Sequence, residues 1–468
     1  MSTVQAVLNQ LSGIIVFFIL STYLSKAGLG QINWSLAVLM VVFSILGFGL
    51  EHVAVKKAAT GADLGILLQI YLFHVRISGF AFLGLLCVIQ FWIPDLFFDK
   101  KLFFLLAVSQ CLSFFATPFR QIVSGLEKFK SLFVMSSSAN IIKVIAMLVL
   151  AFLQKVSVNM IILVYLFASA VELGACIFIY RVSLHLPFPD RDKRTKYVTF
   201  LKEALPQFGV TIFNTALARM DWILLGVLST SVMVAEYSFT NKLFELATLP
   251  LLILAPVIFP KISKLFAGEQ NALTEKSSCY LKLLVRAEII IAVWVAMALN
   301  ICWKDIIDPL TDHKYGSSTI AIIFIMSFAM PLVYLNNIFW NILFAQGKMN
   351  VLFQIFFVAF VINMTADVIL IPLFQARGTA LGFVIALFSQ AVFYFNKTDV
   401  PIIKKTALHL FPVMMYALIA GFLSIILITS FIAQLILATG IYFSLLYIMK
   451  ELNLEIWKAG KGFFVSSI

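Results

Sequence analysis

Charge is scarce in this chain. Only 12% of its 468 residues are Asp, Glu, Lys or Arg, while 62% are hydrophobic, far from the mix of a water-soluble domain. The five cysteines (Cys87, Cys111, Cys176, Cys279 and Cys302) include no CxxC pair. That excludes a zinc ribbon or a disulfide framework and leaves small apolar fillers. The five histidines (His52, His74, His185, His313 and His409) form no HExxH or clustered pattern, so neither a metal site nor another resident cofactor is expected. Alternating ten-residue segments are also missing, which argues against a membrane β-barrel.

Long apolar runs take the place of all this. A helix needs roughly 20 apolar residues to cross the hydrocarbon core. The first half offers seven such runs, at about 8–24, 34–55, 68–93, 102–123, 131–153, 158–180 and 204–228. The second offers seven more, at about 238–260, 281–302, 318–343, 351–373, 379–396, 407–429 and 432–449. Lipid leaves no partner for an open backbone group. The expected fold is therefore an all-α polytopic membrane protein with about 14 transmembrane helices, twelve being the alternative count because the last two runs lie close together.

Basic residues set the orientation. With both termini cytoplasmic, the inner connections collect Lys56, Lys57, Lys128, Lys130, Lys404 and Lys405, besides the dense run 190–194. The outer connections hold few, among them Lys26, Lys155 and Arg377. The formal charge of +12 then faces anionic inner-leaflet lipids, and nucleic acid is not an expected partner. The first apolar run lacks a small-residue cleavage site and reads as the first span, not a signal peptide.

The longest charge-dense stretch, 181–203, contains Pro187, Pro189 and the run Asp190-Arg191-Asp192-Lys193-Arg194. It divides the chain into an N-lobe at 1–180 (helices 1–6), a basic cytoplasmic linker, a C-lobe at 204–396 (helices 7–12) and two further helices with a tail at 397–468. Local echoes connect the lobes. Gly125-Leu126-Glu127-Lys128 before Ser131-Leu132-Phe133 parallels Gln346-Gly347-Lys348 before Val351-Leu352-Phe353, and Asn140 and Asn363 follow inside the next spans. The segment Gly30-Gln31-Ile32-Asn33-Trp34-Ser35 is echoed by Val234-Ala235-Glu236-Tyr237-Ser238. An even number of helices per lobe implies a pseudo-twofold axis along the membrane normal, with a cleft between lobes.

The 6+6+2 pattern, the basic linker and the segment Ala218-Arg219-Met220-Asp221-Trp222-Ile223-Leu224-Leu225-Gly226 resemble the O-antigen and polysaccharide flippase family of the multidrug, oligosaccharidyl-lipid and polysaccharide exporter superfamily. The resemblance spans essentially the whole chain. It implies a lipopolysaccharide-biosynthesis flippase in the bacterial inner membrane. Such a protein moves a polyprenyl-pyrophosphate-linked oligosaccharide from inner to outer leaflet by alternating access, with other polysaccharide-assembly proteins as partners.

Ionisable residues inside spans are costly and mark function or pairing. Arg76, Lys143 and Arg219 would line a cavity suited to an anionic headgroup, the guanidinium gripping phosphate oxygens and the ammonium supplying a point charge. Against this, Arg76 can snorkel to the interface and Lys143 can pair with Glu172. Lys242 and Glu245, three apart, read as a pair on one helix face, while Arg286 and Glu288 read as interfacial. Asp221, Glu245 and Asp367 are the carboxylates that could couple transport to H+ or Na+. The first helix has Asn9 and Gln10 but no acid, which argues against drug–proton exchange.

Asn336 and Asn337, with Asn341 and Trp340, are candidate sugar contacts, packing across helices being the alternative. Pro118, Pro250, Pro256, Pro331 and Pro412 are candidate bends. Two other functions stay open. A cation-coupled multidrug exporter shares the scaffold but prefers an acidic cavity. A membrane polymerase or ligase needs a large outer loop, and the longest, at 303–317 with Asp305, Asp308, Asp312 and His313, is short for catalysis; no catalytic residue is assigned, and an enzyme is not expected.

Overall fold

The computed structural model describes residues 2–92, 98–186, 197–248, 251 and 275–452. The described residues form helices and connections, without a strand. Twelve helices are long and apolar enough to cross a membrane, and Leu8–Tyr23 is a shorter apolar helix. The chain divides into two compact units, Met1–Ala235 and Glu236–Ile468.

Unit 1 holds α1 (Ser2–Tyr23), α2 (Lys26–Gly47), α3 (Leu50–Ala59), α4 (Leu64–Trp92), α5 (Lys100–Gly125), α6 (Phe129–Phe152), α7 (Val158–Phe178) and α8 (Tyr197–Leu228). Helix α5 packs against α2, α3, α4, α6 and α7. Lipid tails are as apolar as leucine, so close approach and hydrogen bonds between helices carry much of the association. Ser109 Oγ of α5 lies 2.9 Å from Ser169 Oγ of α7. Asn9 Oδ1 of α1 accepts from Asn140 Nδ2 of α6 at 3.1 Å.

One predicted span is corrected. The run at 34–55 is not a single helix, because Phe48 (φ 51°) and Gly49 (φ 66°) are both left-handed and end α2 before α3 begins. The cause is α8. The Phe208 ring stacks on Phe48 at 4.3 Å, and a Cβ on Gly49 would stand 2.7 Å from the Phe208 backbone nitrogen. Glycine removes that clash and tolerates the positive φ.

The linker at 181–203 lies outside the described residues at 187–196, and its last residues, 197–203, are already the start of α8, which packs against α2 and α3. His74 of α4 anchors the start of α8. Its Nδ1 is 2.9 Å from the Tyr197 hydroxyl and its Nε2 is 2.7 Å from the Leu46 carbonyl. The carbonyl can only accept, so Nε2 carries the hydrogen and Nδ1 accepts from Tyr197. Burial holds the Tyr197 hydroxyl above its ordinary phenol range, keeping it a donor.

Helix α9 (Ser231–Ala247) runs from unit 1 into unit 2. Unit 2 continues with α10 (Glu275–Leu310), α11 (Ile320–Ser327), α12 (Ala329–Ala345), α13 (Met349–Phe374), α14 (Ala376–Lys397), α15 (Pro401–Ala407), α16 (Leu410–Leu427) and α17 (Phe431–Ile448). Helix α10 packs against α11, α12, α15, α16 and α17, over a core that includes Val285, Ile289, Leu335, Phe339 and Tyr442.

Prolines place two of the breaks. Pro331 and Pro412 are each the third residue of a helix, just past an interruption at Phe328 and at 408–409. A proline lacks the N–H that would bond four residues back and clashes with that carbonyl. Pro118 lies inside α5 without dividing it. Pro250 and Pro256 lie outside the described residues.

The sequence echo between the halves is a repeated turn. Glu127 N and Lys128 N bond the carbonyls of Ser124 and Val123 at 3.0 and 3.3 Å. Gly347 N and Lys348 N bond those of Phe344 and Leu343, both at 3.0 Å. Glu127 (φ 57°) and Gly347 (φ 69°) both occupy the left-handed region, giving the 5→2 and 6→1 pair of a Schellman turn. In each unit the lysine that follows is the residue preceding the next long helix, α6 or α13.

Candidate functional site

Four of the residues singled out by chemistry fall in unit 1 and four in unit 2. The unit 1 group begins with Arg219 on α8. Its guanidinium carbon lies 4.7 Å from the centre of the Trp222 ring, one turn on, a favourable cation–π placement. Its Nε and Nη1 are buried and have no hydrogen-bond partner among the described residues. Asp221, two residues away, is itself buried, and that spacing puts the two on different faces of the helix.

The register of α8 is fixed by Trp34 of α2. Trp34 Nε1 donates to the Ile223 carbonyl at 3.2 Å, and its ring fills the space a Cβ on Gly226 would take. Arg219 therefore stands about two turns from an anchored point.

Lys143 on α6 has its Nζ 4.5 Å from the centre of the Tyr165 ring of α7. It does not hold Glu172. That carboxylate is taken by Arg120, which ion-pairs with it from α5, and by Ser113 Oγ at 2.7 Å. Arg120 also donates to Thr117 Oγ1 at 3.2 Å. Arg120 lies inside α5 and is not among the residues the sequence singles out. The clue was present: Ser109 and Ser113 are four apart, Ser169 and Glu172 three apart, so each pair shares a helix face.

Arg76 on α4 is exposed, on the stripe that also exposes Phe73, Ile77 and Phe80. It has no hydrogen bond or ion pair among the described residues.

In unit 2 the asparagine amide N–H groups are occupied, while Asn336 Oδ1 is buried without a partner among the described residues. Asn336 Nδ2 donates to the Leu387 carbonyl at 3.1 Å and to Gln390 Oε1 at 3.2 Å, tying α12 to α14. Asn337 accepts from Asn341 Nδ2 at 2.9 Å on its own helix. Lys242 and Glu245 form the expected i,i+3 pair at 2.8 Å. Asp367 is fully buried on α13, with Gly382 of α14 so close that a Cβ there would strike its carboxylate. Asp308, expected in an outer loop, lies instead in the last turn of α10, where it accepts from Ser317 N at 3.0 Å and Ser317 Oγ at 2.5 Å. It closes the connection into α11.

Two further features escaped the sequence reading. Glu288, taken there as interfacial, is 3% exposed. An apolar groove of about 660 Å³ runs between α10, α11, α12 and α16, with Met297, Phe324, Leu418 and Phe422 among its walls. Among the described residues, no three His, Cys, Asp or Glu side chains gather where they could hold a metal ion.

A family model described as polysaccharide biosynthesis protein matches residues 1–266. The chain belongs to that family. No curated protein sequence matches it. Among solved structures, the lipid II flippase MurJ in its inward closed conformation aligns with a TM-score of 0.75 at 15% identity, over 96% of this chain and 98% of that one. A multidrug resistance MATE family transporter of the MOP superfamily, inward-facing, gives 0.65 at 13% identity over 85% and 96%. An outward-facing MATE family transporter gives 0.56 at 13% over 86% and 94%. At these identities the likeness establishes the fold: the helical scaffold shared by MurJ and MATE transporters. The polysaccharide family and the all-α, multi-span fold expected from the sequence hold.

Proposed function

We propose that this protein is a flippase that carries a polyprenyl-pyrophosphate-linked oligosaccharide, such as an O-antigen or related repeat unit, from the inner to the outer leaflet by alternating access. The setting is the bacterial inner membrane, with both termini cytoplasmic. The observation that carries the reading is Arg219. A guanidinium in a spanning helix, held on Trp222 with two buried N–H groups unfilled, is a donor set awaiting an oxyanion. Lys143, released from Glu172 by Arg120, adds a second cation in the same unit, and Arg76 a third. The apolar groove of unit 2, about 660 Å³ in volume, suits the hydrocarbon chain of a lipid-linked cargo. Asp221, Glu245 and Asp367 remain the candidates for titration or Na+ binding if transport is coupled to an ion.

The MATE-like fold favours one other reading, a cation-coupled multidrug exporter. Free cations in unit 1 weigh against a cationic drug. The test is a deletion strain complemented with wild type, Arg219→Ala or Lys143→Ala at equal protein level. Each charged hydrogen bond is worth ~1.5–3 kcal/mol, so export should fall roughly tenfold to a hundredfold. Lipid-linked oligosaccharide should then accumulate on the cytoplasmic side. Normal export by both variants refutes the site, and drug resistance with unchanged glycan export favours the exporter.

A further inference from the structure

Glu288 lies on α10, one residue before core residue Ile289 and three after Val285. It is 3% exposed, and its Oε2 is buried without a hydrogen-bond partner. It makes no ion pair among the described residues. Tyr334 on α12 is fully buried, with the Leu251 backbone near its hydroxyl, and it lies within electrostatic range of Glu288. The two groups stand on packed helices in an apolar core, and among the described residues no cation pairs with Glu288.

The surrounding charges are committed elsewhere. Arg286, two residues back, turns to Glu451 at 3.7 Å and His409 at 3.3 Å, and His409 binds Glu451 at 2.8 Å. On α17 the Tyr442 hydroxyl donates to the Ile290 carbonyl at 3.0 Å. On α15 Lys404 lies over the Phe395 ring and Lys405 is exposed. On α16 Tyr416 is half-buried, on α17 Tyr447 is exposed, and α11 carries no titratable side chain.

A bare carboxylate in such a place is strongly unfavourable, because nothing replaces the water it loses. A sodium ion would need several oxygen ligands. The described neighbours offer one hydroxyl beyond the carboxyl itself, their backbone carbonyls being used in helices. A proton needs only the carboxyl oxygen.

We propose that Glu288 is a proton-binding site in the core where α10 packs on α12. The packed arrangement accommodates the neutral acid. Losing the proton requires water to reach the carboxylate, so occupancy is linked to how closely α10 and α12 pack. This site is separate from Arg219 and does not depend on the identity of the cargo.

The test is infrared difference spectroscopy of the full-length protein in lipid nanodiscs, with H+ and Na+ as the only probes. A protonated-carboxyl band should be present in wild type, vanish at high pH, be lost in Glu288→Gln and shift in frequency in Tyr334→Phe. A spectrum unchanged by Glu288→Gln overturns the proposal. Should that variant fail to fold, Tyr334→Phe decides, and an unshifted band overturns it. Loss of the band on adding Na+ at constant pH replaces the proton site with a metal site. None of these readouts involves oligosaccharide export, so this proposal and the flippase reading fail separately.

Discussion

Units 1 and 2 are both bundles of long apolar helices, but they dispose of their buried charge in opposite ways. Unit 1 binds its acid Glu172 with Arg120 and Ser113, leaving Arg219 and Lys143 on the faces of aromatic rings. Unit 2 binds its cations, Lys242 with Glu245 and Arg286 with Glu451, leaving the carboxyl of Glu288 in the core. The same scaffold chemistry therefore gives one unit unfilled donors and the other an unfilled acid. Which partner is spent inside the fold decides which sign remains for a ligand.

That contrast can be broken at its source. Glu172→Gln leaves the half-buried Arg120 without a counter-charge and adds a fourth unpaired cation to unit 1. Removing one partner of such a pair costs ~3–5 kcal/mol. A large drop in detergent melting temperature is expected, with partial recovery in Arg120→Met/Glu172→Leu. Gly226→Ala should be next. Its Cβ displaces Trp34 and loosens the platform that fixes Arg219, an overpacking cost of ~1–3 kcal/mol, read as lower thermal stability together with weaker transport.

The two Schellman turns sharpen the comparison with a smaller effect. Glu127 and Gly347 share one left-handed geometry, but only the glycine is at ease there. Glu127→Gly should stabilise by about 0.5–1 kcal/mol and Gly347→Ala should destabilise by about as much, since open space around Gly347 leaves φ as the only cost.

The smallest effect is electrostatic. The hydrogen bond and charge of Lys348, at 2.8 Å, hold the exposed Asp399 carboxyl below its usual range. A depressed folded-state pKa stabilises above the ordinary carboxylate value. That contribution fades as pH falls through the folded value, so Asp399→Asn should slightly flatten the acid limb of a stability–pH curve, and more so at low salt.

Much of the fold was legible because spanning length and hydropathy are blunt, long-range signals. The break at Phe48–Gly49 was not, since apolar residues continue across it and the cause is the approach of α8 from far along the chain. The attachment of α8 to α2 and α3 was hidden for the same reason, depending on Trp34 meeting Gly226. Within the candidate site, residue type and depth singled out Arg219 and Lys143. The partition of Glu172 between Lys143 and Arg120 was decided by helix rotation, and hydropathy does not encode rotation. Glu288 was misplaced because depth along a helix was taken for exposure to water, while burial depends on which neighbours cover a given face.

His74 has a practical consequence for anyone wishing to dissect this molecule. One imidazole staples the end of α2 and the start of α8 to α4, so a fragment that stops short of Tyr197 would expose a buried ring nitrogen and strip Phe48 of its stacking partner. The smallest piece worth expressing alone carries the chain through α8, seven long helices instead of six.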